Sequence, residues 1–401
     1  MHPNIRELVT LITSEIRSNA DKKEKWADFK RNHAEELTRL LQLEGKDMDN
    51  PGALIGIDFD EDRKLMLLNY TGQAHNFLHE IEGGWTHVLR QLRGLIVSYD
   101  GEPTMVSRGF EKFFNYNELH ECSVEGLSEK FGADTKFLAR EKADGHMIEY
   151  FVHNGELCAS TRGKFGTVSS NLATDMFTLE MFNTVAESAP NGVMSIVVEL
   201  VHPETRVHVD YDESHLFLLS VFDKDGSRYN HSFLEYLTNH VNYFTLPNQR
   251  SMSLNDMIAE INDRSVVNNE GWVMDFDGYL VKFKYISYIG EMVKSKLSYK
   301  YIMNCIKNDR LDKMLFTLPE EVREEAYRMV DDVKATTDRA IRAGTYKPLY
   351  DLYTADMEGS KSYFTQVCRT YWREHVIPDG LDEARRAVQG RRPVLPFAFA
   401  G

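Results

Sequence analysis

The sequence predicts an α+β protein whose middle is built on antiparallel sheet and whose two ends are helical. Three observations carry this. Apolar residues recur at helical spacing near the start, where Ile5, Leu8, Val9, Ile12 and Ile16 fall on one face. From about 53 to 288 the texture changes to short strand-like runs broken by turns. From about 289 the helical pattern returns.

Taken in order, a second helical run carries Trp26, Phe29, Leu37, Leu40 and Leu41 and stops at Gly45. The turn-rich "KDMDNPG" (46–52) reads as a linker. The strand-like runs are "KLMLLNY", "RGLIVSYDG", "HMIEYFVHNGELCAST", "MSIVVELVH", "HLFLLSVFDKDG" and "GWVMDFDGYLVKFK". Asn154-Gly155 between two such runs marks a hairpin. Residues 172 to 187 read as a helical insertion. Further on, Thr317, Pro319, Glu320 and Glu321 form a helix start. Val322, Ala326, Met329, Val330 and Val333 continue that helix, and Gly344 ends it. These textures divide the chain into 1–50, 51–288 and 289–401.

The bulk numbers narrow the function. At ~150 residues per domain, 401 residues suggest more than one. A net charge of -15 and a pI near 5.4 argue against a protein that coats nucleic acid, while leaving room for a local basic groove. Cys122, Cys158, Cys305 and Cys368 are far apart, so neither a zinc ribbon nor a disulfide framework is expected, and a reducing compartment fits. The first residues lack a signal peptide's apolar core. No apolar run approaches the ~18 residues of a membrane span. A soluble, cytoplasmic protein with no membrane contact is expected.

Charged residues stand where strands prefer apolar ones. In "LAREKADGHMIEYF", Glu141 and Lys142 precede Ala143-Asp144-Gly145 and a strand-like run. Arg93 opens "RGLIV". Lys112 lies in an aromatic cluster with Phe113, Phe114 and Tyr116, and Arg162 and Lys164 flank Gly163. Glu199 sits inside "VVELVHPETR", and Glu270 precedes Gly271. Lys282 and Lys284 are two apart, so on a strand they share a face, and two ammonium groups there call for an anion between them. One lysine in a turn, a set of further cations and two strand glutamates together describe a polyanion site with a metal.

Lys142-Ala143-Asp144-Gly145 resembles the nucleotidyl-acceptor motif of the covalent nucleotidyltransferases, namely DNA ligases, RNA ligases and mRNA capping enzymes. Glu199, Glu270-Gly271 and Lys282-x-Lys284 follow in that superfamily's order. "RGLIV", "KFFNYNE" and "VVELVHPETRVHVDY" are similar to the phage-type RNA ligase 1 family, over about 85 to 288. DNA ligases and capping enzymes carry an OB-fold after the second lysine motif, whereas residues 290 to 376 read as helical.

The resemblance implies a nucleotidyltransferase (adenylation) domain over 51–288, an N-terminal helical extension and a C-terminal helical domain for RNA ends. It implies an ATP-dependent RNA ligase, with Mg²⁺ (or Mn²⁺), joining RNA 5′-phosphate and 3′-hydroxyl ends, as in tRNA repair. Lys142 would be the nucleophile, with Lys282 and Lys284 holding the α-phosphate and pushing Lys142 toward its neutral form. Glu270 would bind the metal. Arg93, Lys112 and Arg162 (or Lys164 in its place) would hold phosphates, with Glu141, Phe114 and Gly145 around the nucleotide. Glu199 would contact the ribose, and Phe217 or Phe222 would stack on adenine. The run Lys294, Lys296, Lys300, Lys307 and Arg310 reads either as an RNA-binding face or as a solvated one. A monomer working beside an end-healing kinase/phosphatase is expected, in the host cytoplasm if the source is viral. A DNA ligase, a capping guanylyltransferase and a non-catalytic RNA-binding protein of the same fold are the alternatives.

Overall fold

A computed structural model describes residues 1–351 other than 47–49, 79–80, 82, 296, 308–309, 319, 344–346 and 349–350. The chain clusters into two units. One comprises Met1–Ile261 with Asn268–Lys284, and the other comprises Asn262–Val267 with the chain from Tyr285 onward. The boundary thus falls at Lys284 rather than after Tyr288. The N-terminal helices belong to the same unit as the sheets instead of forming a separate extension.

In the first unit, helix Pro3–Glu15 buries Ile5, Leu8, Val9 and Ile12, as the periodicity predicts. The second predicted run is two helices, Asn19–Asn32 and Ala34–Leu40, broken at His33. Asn19 Nδ2 donates to Phe59 O (3.0 Å) and Tyr99 Oη donates to Arg17 O (2.9 Å), which ties these helices to the first sheet. That sheet is an antiparallel meander of β1 (Ile55–Asp60), β2 (Leu65–Tyr70), β3 (Arg93–Ser98) and β4 (Thr104–Ser107).

Two further sheets carry the predicted site residues. One has the order β11 (Gln249–Met252), β6 (Phe137–Glu141), β12 (Gly271–Phe276), β13 (Tyr279–Lys284) and β5 (Phe114–Asn115). It is antiparallel except for the β13–β5 pair. The other has the order β10 (His215–Phe222), β9 (Ser195–Val201), β7 (His146–His153) and β8 (Glu156–Thr161). Asn154-Gly155 joins β7 to β8, as predicted.

The two faces of the β10-β9-β7-β8 sheet have different fates. Ile148, Tyr150, Val198 and Leu218 pack under Phe177, Phe182, Leu234 and Leu237. These come from helices and their linkers; the insertion predicted at 172–187 is two helices, Val168–Met176 and Leu179–Ser188, and a third is His231–Val241. Thr167, Thr178 and Asn230 cap the three starts. On the opposite face Phe151 and Cys158 pack against Leu65, Leu67 and Ile96 of the first sheet. The alternation of a strand separates the two sets of side chains.

The second unit is helical where described, with helices Ile286–Lys294, Tyr299–Lys307, Leu311–Thr317 and Glu320–Ala343. Its core gathers Val293, Ile302, Met303, Leu315, Leu318, Val330 and Val333. Pro319, Gly344, Lys296, Cys368, residues 47–49 of the 46–52 linker and the chain beyond 351 lie outside the described residues, as do the side chains of Lys300, Lys307 and Thr317. Among the described residues no helix is long and apolar enough to cross a membrane.

Candidate active site

Strand register assembles the site. Lys142 N donates to Gly271 O (2.8 Å), which continues the β6–β12 ladder one residue beyond β6. Gly271 faces Lys284, and Val273 faces both Arg140 and Lys282. Residues two apart share a strand face, so Arg140 and Lys142, and likewise Lys282 and Lys284, project together. They line one cavity of about 570 Å³ with Arg93, Glu141, Gly145, Arg162, Glu199 and Glu270. Glu199 reaches it from β9, where it is paired with Met147 and Phe217.

At its centre Glu270 bridges two lysines. Its Oε2 lies 2.6 Å from Lys142 Nζ and its Oε1 lies 2.8 Å from Lys284 Nζ. Glu270 is only 3% exposed. Gly271 follows at φ +146°, and a Cβ there would lie 2.0 Å from Phe283 O. Glycine is what allows the strand to begin directly after the bridging carboxylate.

Charge at Lys142 runs opposite to the expectation. Burial alone would lower its pKa, but Glu270, Glu199 and Asp144 outweigh burial and raise it. The depressed lysine is Lys282. Burial comes first among the causes, followed by Arg93, Lys112 and Lys142, and its pKa falls well below the usual value. Lys282 Nζ donates to Phe113 O (3.0 Å) and stands 4.3 Å from the Phe113 ring centre. Burial also pushes the Glu199 carboxyl up to about 7, against the pull of Lys142.

The turn around Lys142 is anchored by its neighbours. Asp144 Oδ2 accepts from the N–H groups of His208 and Val209, each at 2.8 Å. Tyr211 Oη accepts from the N–H of Asp144 at 2.8 Å. Gly145 N–H donates to Glu199 Oε1 (3.2 Å), and a Cβ on Gly145 would sit 2.1 Å from Leu200 O. The close approach that requires this glycine is to β9. Glu141 accepts from Asn269 Nδ2 (2.8 Å) and Asn248 Nδ2 (2.5 Å).

Among the phosphate candidates, Arg93 is buried, donates to Phe110 O (3.2 Å) and lies over Phe113. Gly94, at φ +80°, lets the Arg162 backbone approach within 3.3 Å of where a Cβ would stand, bringing the two arginines to one cavity. Arg162 lines that cavity and Lys164 does not.

Three expectations need correction. Lys112 does not line the Lys142 cavity; it is buried against Glu118 (3.2 Å) and over Phe114 (4.4 Å). Phe114 is 1% exposed and faces away from the cavity beneath Lys112, because adjacent residues on a strand face opposite sides. Neither Phe217 nor Phe222 lines the cavity; its aromatic residues are Phe110 and Phe113. Sequence reasoning also missed Arg140, Arg228 and Asp275. Arg228 and Asp275 pair at 3.1 Å, and all three line the cavity. A bulge at Leu218–Ser220 turns Leu219 toward it, where Leu219 O accepts from Arg140 Nη1 (3.3 Å).

Among the described residues no three His, Cys, Asp or Glu side chains gather as a ready metal cage. Glu270 and Glu199 nevertheless line the same cavity. One or two carboxylates, completed by water and substrate phosphates, are how Mg²⁺ is commonly held. The donor set therefore fits a hard cation shared with a nucleotide.

Fold and site together bring one lysine, the carboxylate that bridges it to a second lysine, and a row of further cations into one cavity. Residues 91–301 match the family model described as RNA ligase, of the T4 type 1 class. The chain belongs to this phage-type RNA ligase 1 family. It is 26% identical over 201 residues to RNA ligase 1 of bacteriophage TS2126, covering 49% of this chain and 50% of that one. It is 29% identical over 192 residues to a protein of Thermovibrio ammonificans whose name assigns it provisionally as an RNA ligase, covering 47% of each. The chain thus spans about half the length of these curated relatives. A solved archaeal ATP-dependent RNA ligase resembles it with a TM-score of 0.46 at 14% identity, over 77% of this chain and 90% of that one.

Proposed function

We propose that this protein is an ATP-dependent RNA ligase that seals 5′-phosphate to 3′-hydroxyl ends through a lysyl-AMP. The observation that carries this is the single cavity in which Lys142, Glu270, Lys282 and Lys284 meet, inside the stretch that matches the family. Lys142 Nζ attacks the α-phosphorus of ATP, an N–P bond forms and pyrophosphate leaves. The RNA 5′-phosphate takes the AMP from the lysine. The 3′-hydroxyl then displaces AMP and closes the phosphodiester.

Attack needs a neutral amine, and Glu270 favours the ammonium. The ion pair is therefore a resting state, and nucleotide binding must draw Glu270 away before Lys142 yields its proton. Mg²⁺ or Mn²⁺ held by Glu270, with Glu199 nearby, would neutralise phosphate charge. Lys284, Lys282 and Arg93 would grip the phosphates, with Arg162 at the rim. Glu199, whose carboxyl burial pushes up to about 7, suits a ribose hydroxyl. The unit that ends at Lys284 would carry adenylation, and the helical unit from Tyr285 onward would serve the RNA ends. The natural substrate would be a broken RNA such as a cleaved tRNA, after an end-healing kinase/phosphatase has prepared its ends.

The test is incubation with α-labelled ATP or GTP followed by a denaturing gel. Wild type should carry a label from ATP, and Lys142→Ala none. Label from GTP alone would point to capping, and no label from either nucleotide would remove the ligase reading.

A further inference from the structure

A second cavity, of about 270 Å³, shares Phe110, Phe113, Arg228 and Leu280 with the Lys142 cavity. It therefore opens directly beside it. Arg90, Arg108 and Lys112 line this second cavity and not the first. Each of these cations rests on an aromatic face. Arg90 lies 5.1 Å and Lys112 4.4 Å from the Phe114 ring centre, and Arg108 lies 5.6 Å from that of Phe222. A concave wall that combines cations with aromatic side chains suits a phosphate and its unstacked base, which stacks on a ring or a guanidinium plane.

Arg108 is held in place from two sides. Ser195 Oγ donates to its carbonyl oxygen (2.6 Å). Gly226, at φ +82°, packs against its side chain, where a Cβ would stand 3.0 Å from Arg108 Cδ. Its carboxylate partner, Glu111, is 39% exposed, and Glu121, the partner of Arg90, is 40% exposed. Exposed carboxylates hold a cation weakly, and a phosphate dianion makes stronger, forked contacts with guanidinium groups. The Lys112–Glu118 pair is buried by comparison and stays formed.

We infer that this second cavity seats the 5′-phosphorylated terminal nucleotide of the RNA, with Arg90 and Arg108 as its phosphate ligands. The inference rests on the ligase reading above. The β- and γ-phosphates of ATP share the same chemistry. The aromatic walls, and the separation of Arg90 and Arg108 from the Lys142 row, favour a polynucleotide end.

The experiment uses the full chain and a short fluorescent RNA carrying either a 5′-phosphate or a 5′-hydroxyl, read by anisotropy. Wild type should bind the phosphorylated RNA about tenfold more tightly, from the gain of charge-assisted hydrogen bonds. Arg90→Ala and Arg108→Ala should each remove most of that preference while leaving ATP binding unchanged. Arg108→Lys keeps the charge without the fork and should recover part of it. Arg90→Ala also reads the site should Arg108→Ala fold poorly by circular dichroism. A wild-type ratio near one, or a ratio that survives both alanine changes, overturns the assignment. A loss of ATP binding in step with RNA binding would reassign the cavity to ATP phosphates. The lysyl-AMP gel is scored separately. A 5′-phosphate preference without lysyl-AMP would keep the cavity and remove the ligase reading.

Discussion

Glu270 stands between Lys142 and Lys284, 2.6 Å from one ammonium and 2.8 Å from the other. Two nearly buried cations share one carboxylate, so each depends on the other's partner. Removing the carboxylate leaves both without it, which for a buried pair costs about 3–5 kcal/mol, less here because both lysines keep some exposure. Glu270→Gln should therefore lower thermal stability markedly and abolish lysyl-AMP formation. Adding Lys142→Met to that variant should restore part of the lost stability, because one stranded charge is gone. Stability changes that simply add across the double-mutant cycle would show that the bridge is not coupled.

Lys282 leads to the opposite expectation for stability. It is buried among Arg93, Lys112 and Lys142, and its pKa is pushed well down. A cation so placed opposes folding unless an anion joins it. Lys282→Met should keep or raise the melting temperature while eliminating lysyl-AMP formation. A variant that melts lower yet still labels with ATP would contradict both halves of this reading.

Glu149 gives a pH dependence. It is 1% exposed and takes a hydrogen bond from Ser107. Burial raises its pKa to about 8, from an ordinary carboxylate value of 4.5. In that window the folded state binds the proton that the unfolded state has released. Stability from this group therefore falls as pH rises between those values, by a few kcal/mol in all at ~1.4 kcal/mol per pH unit. Glu149→Gln removes the titration. The variant should gain on wild type between pH 5 and pH 9 in thermal melts. An unchanged gap in melting temperature would mean that Glu149 titrates normally.

Local phrases were legible because their geometry is local. The shared face of Lys282 and Lys284 follows from strand period alone, and the Asn154-Gly155 hairpin from its turn residues. The helices over 1–45 were legible because their apolar faces repeat. What stayed hidden depends on register between distant segments. Arg140 meets Val273 and Lys282 only through two strand pairings. The Leu219 carbonyl meets Arg140 through a bulge. The aromatic run held both Phe113 and Phe114, but nothing in it said which ring would face the cavity. The Lys142 charge state was misjudged for a similar reason. Lys282 and Lys284 were visible as a pair in the sequence, but Glu270 comes between Lys142 and Lys284 only in three dimensions. Helix His231–Val241 lay unrecognised within a strand-rich texture, although its cap, Asn230, is a local signal.

Gly145 and Gly163 line the same cavity but differ in the space around them. A Cβ on Gly145 would stand 2.1 Å from Leu200 O, whereas on Gly163 it would meet Asn69 Nδ2 at an ordinary 3.5 Å. Gly145→Ala must push β7 away from β9, at a cost of roughly 1–3 kcal/mol or more for overpacking. It should also disturb the Gly145–Glu199 hydrogen bond and slow adenylation. Gly163→Ala should stay within about 0.5 kcal/mol of wild type by denaturant unfolding, as surface changes do. Equal losses in the two variants would show that the close approach to β9 is not what selects Gly145.

The last prediction concerns separable steps. Every residue of the Lys142 cavity lies in the unit that ends at Lys284. The helical unit has an apolar core of its own, with Ile302, Met303, Leu318 and Val333 at its centre. On the proposed function, lysyl-AMP formation would need only ATP, metal and the unit that ends at Lys284. A chain ending at Lys284 should therefore still label with α-labelled ATP. It should join its RNA poorly, because Lys294 and Arg310 go with the deleted helices and RNA affinity rests heavily on cation–phosphate contacts. Segment 262–267 loses the partner that Ser287 Oγ provides to Val266 O (2.6 Å). Solubility and circular dichroism are therefore the first checks. With those met, a truncated chain that ligates as fast as the full one would show that the helical unit does not serve the RNA, and one that fails to label would show that adenylation needs it.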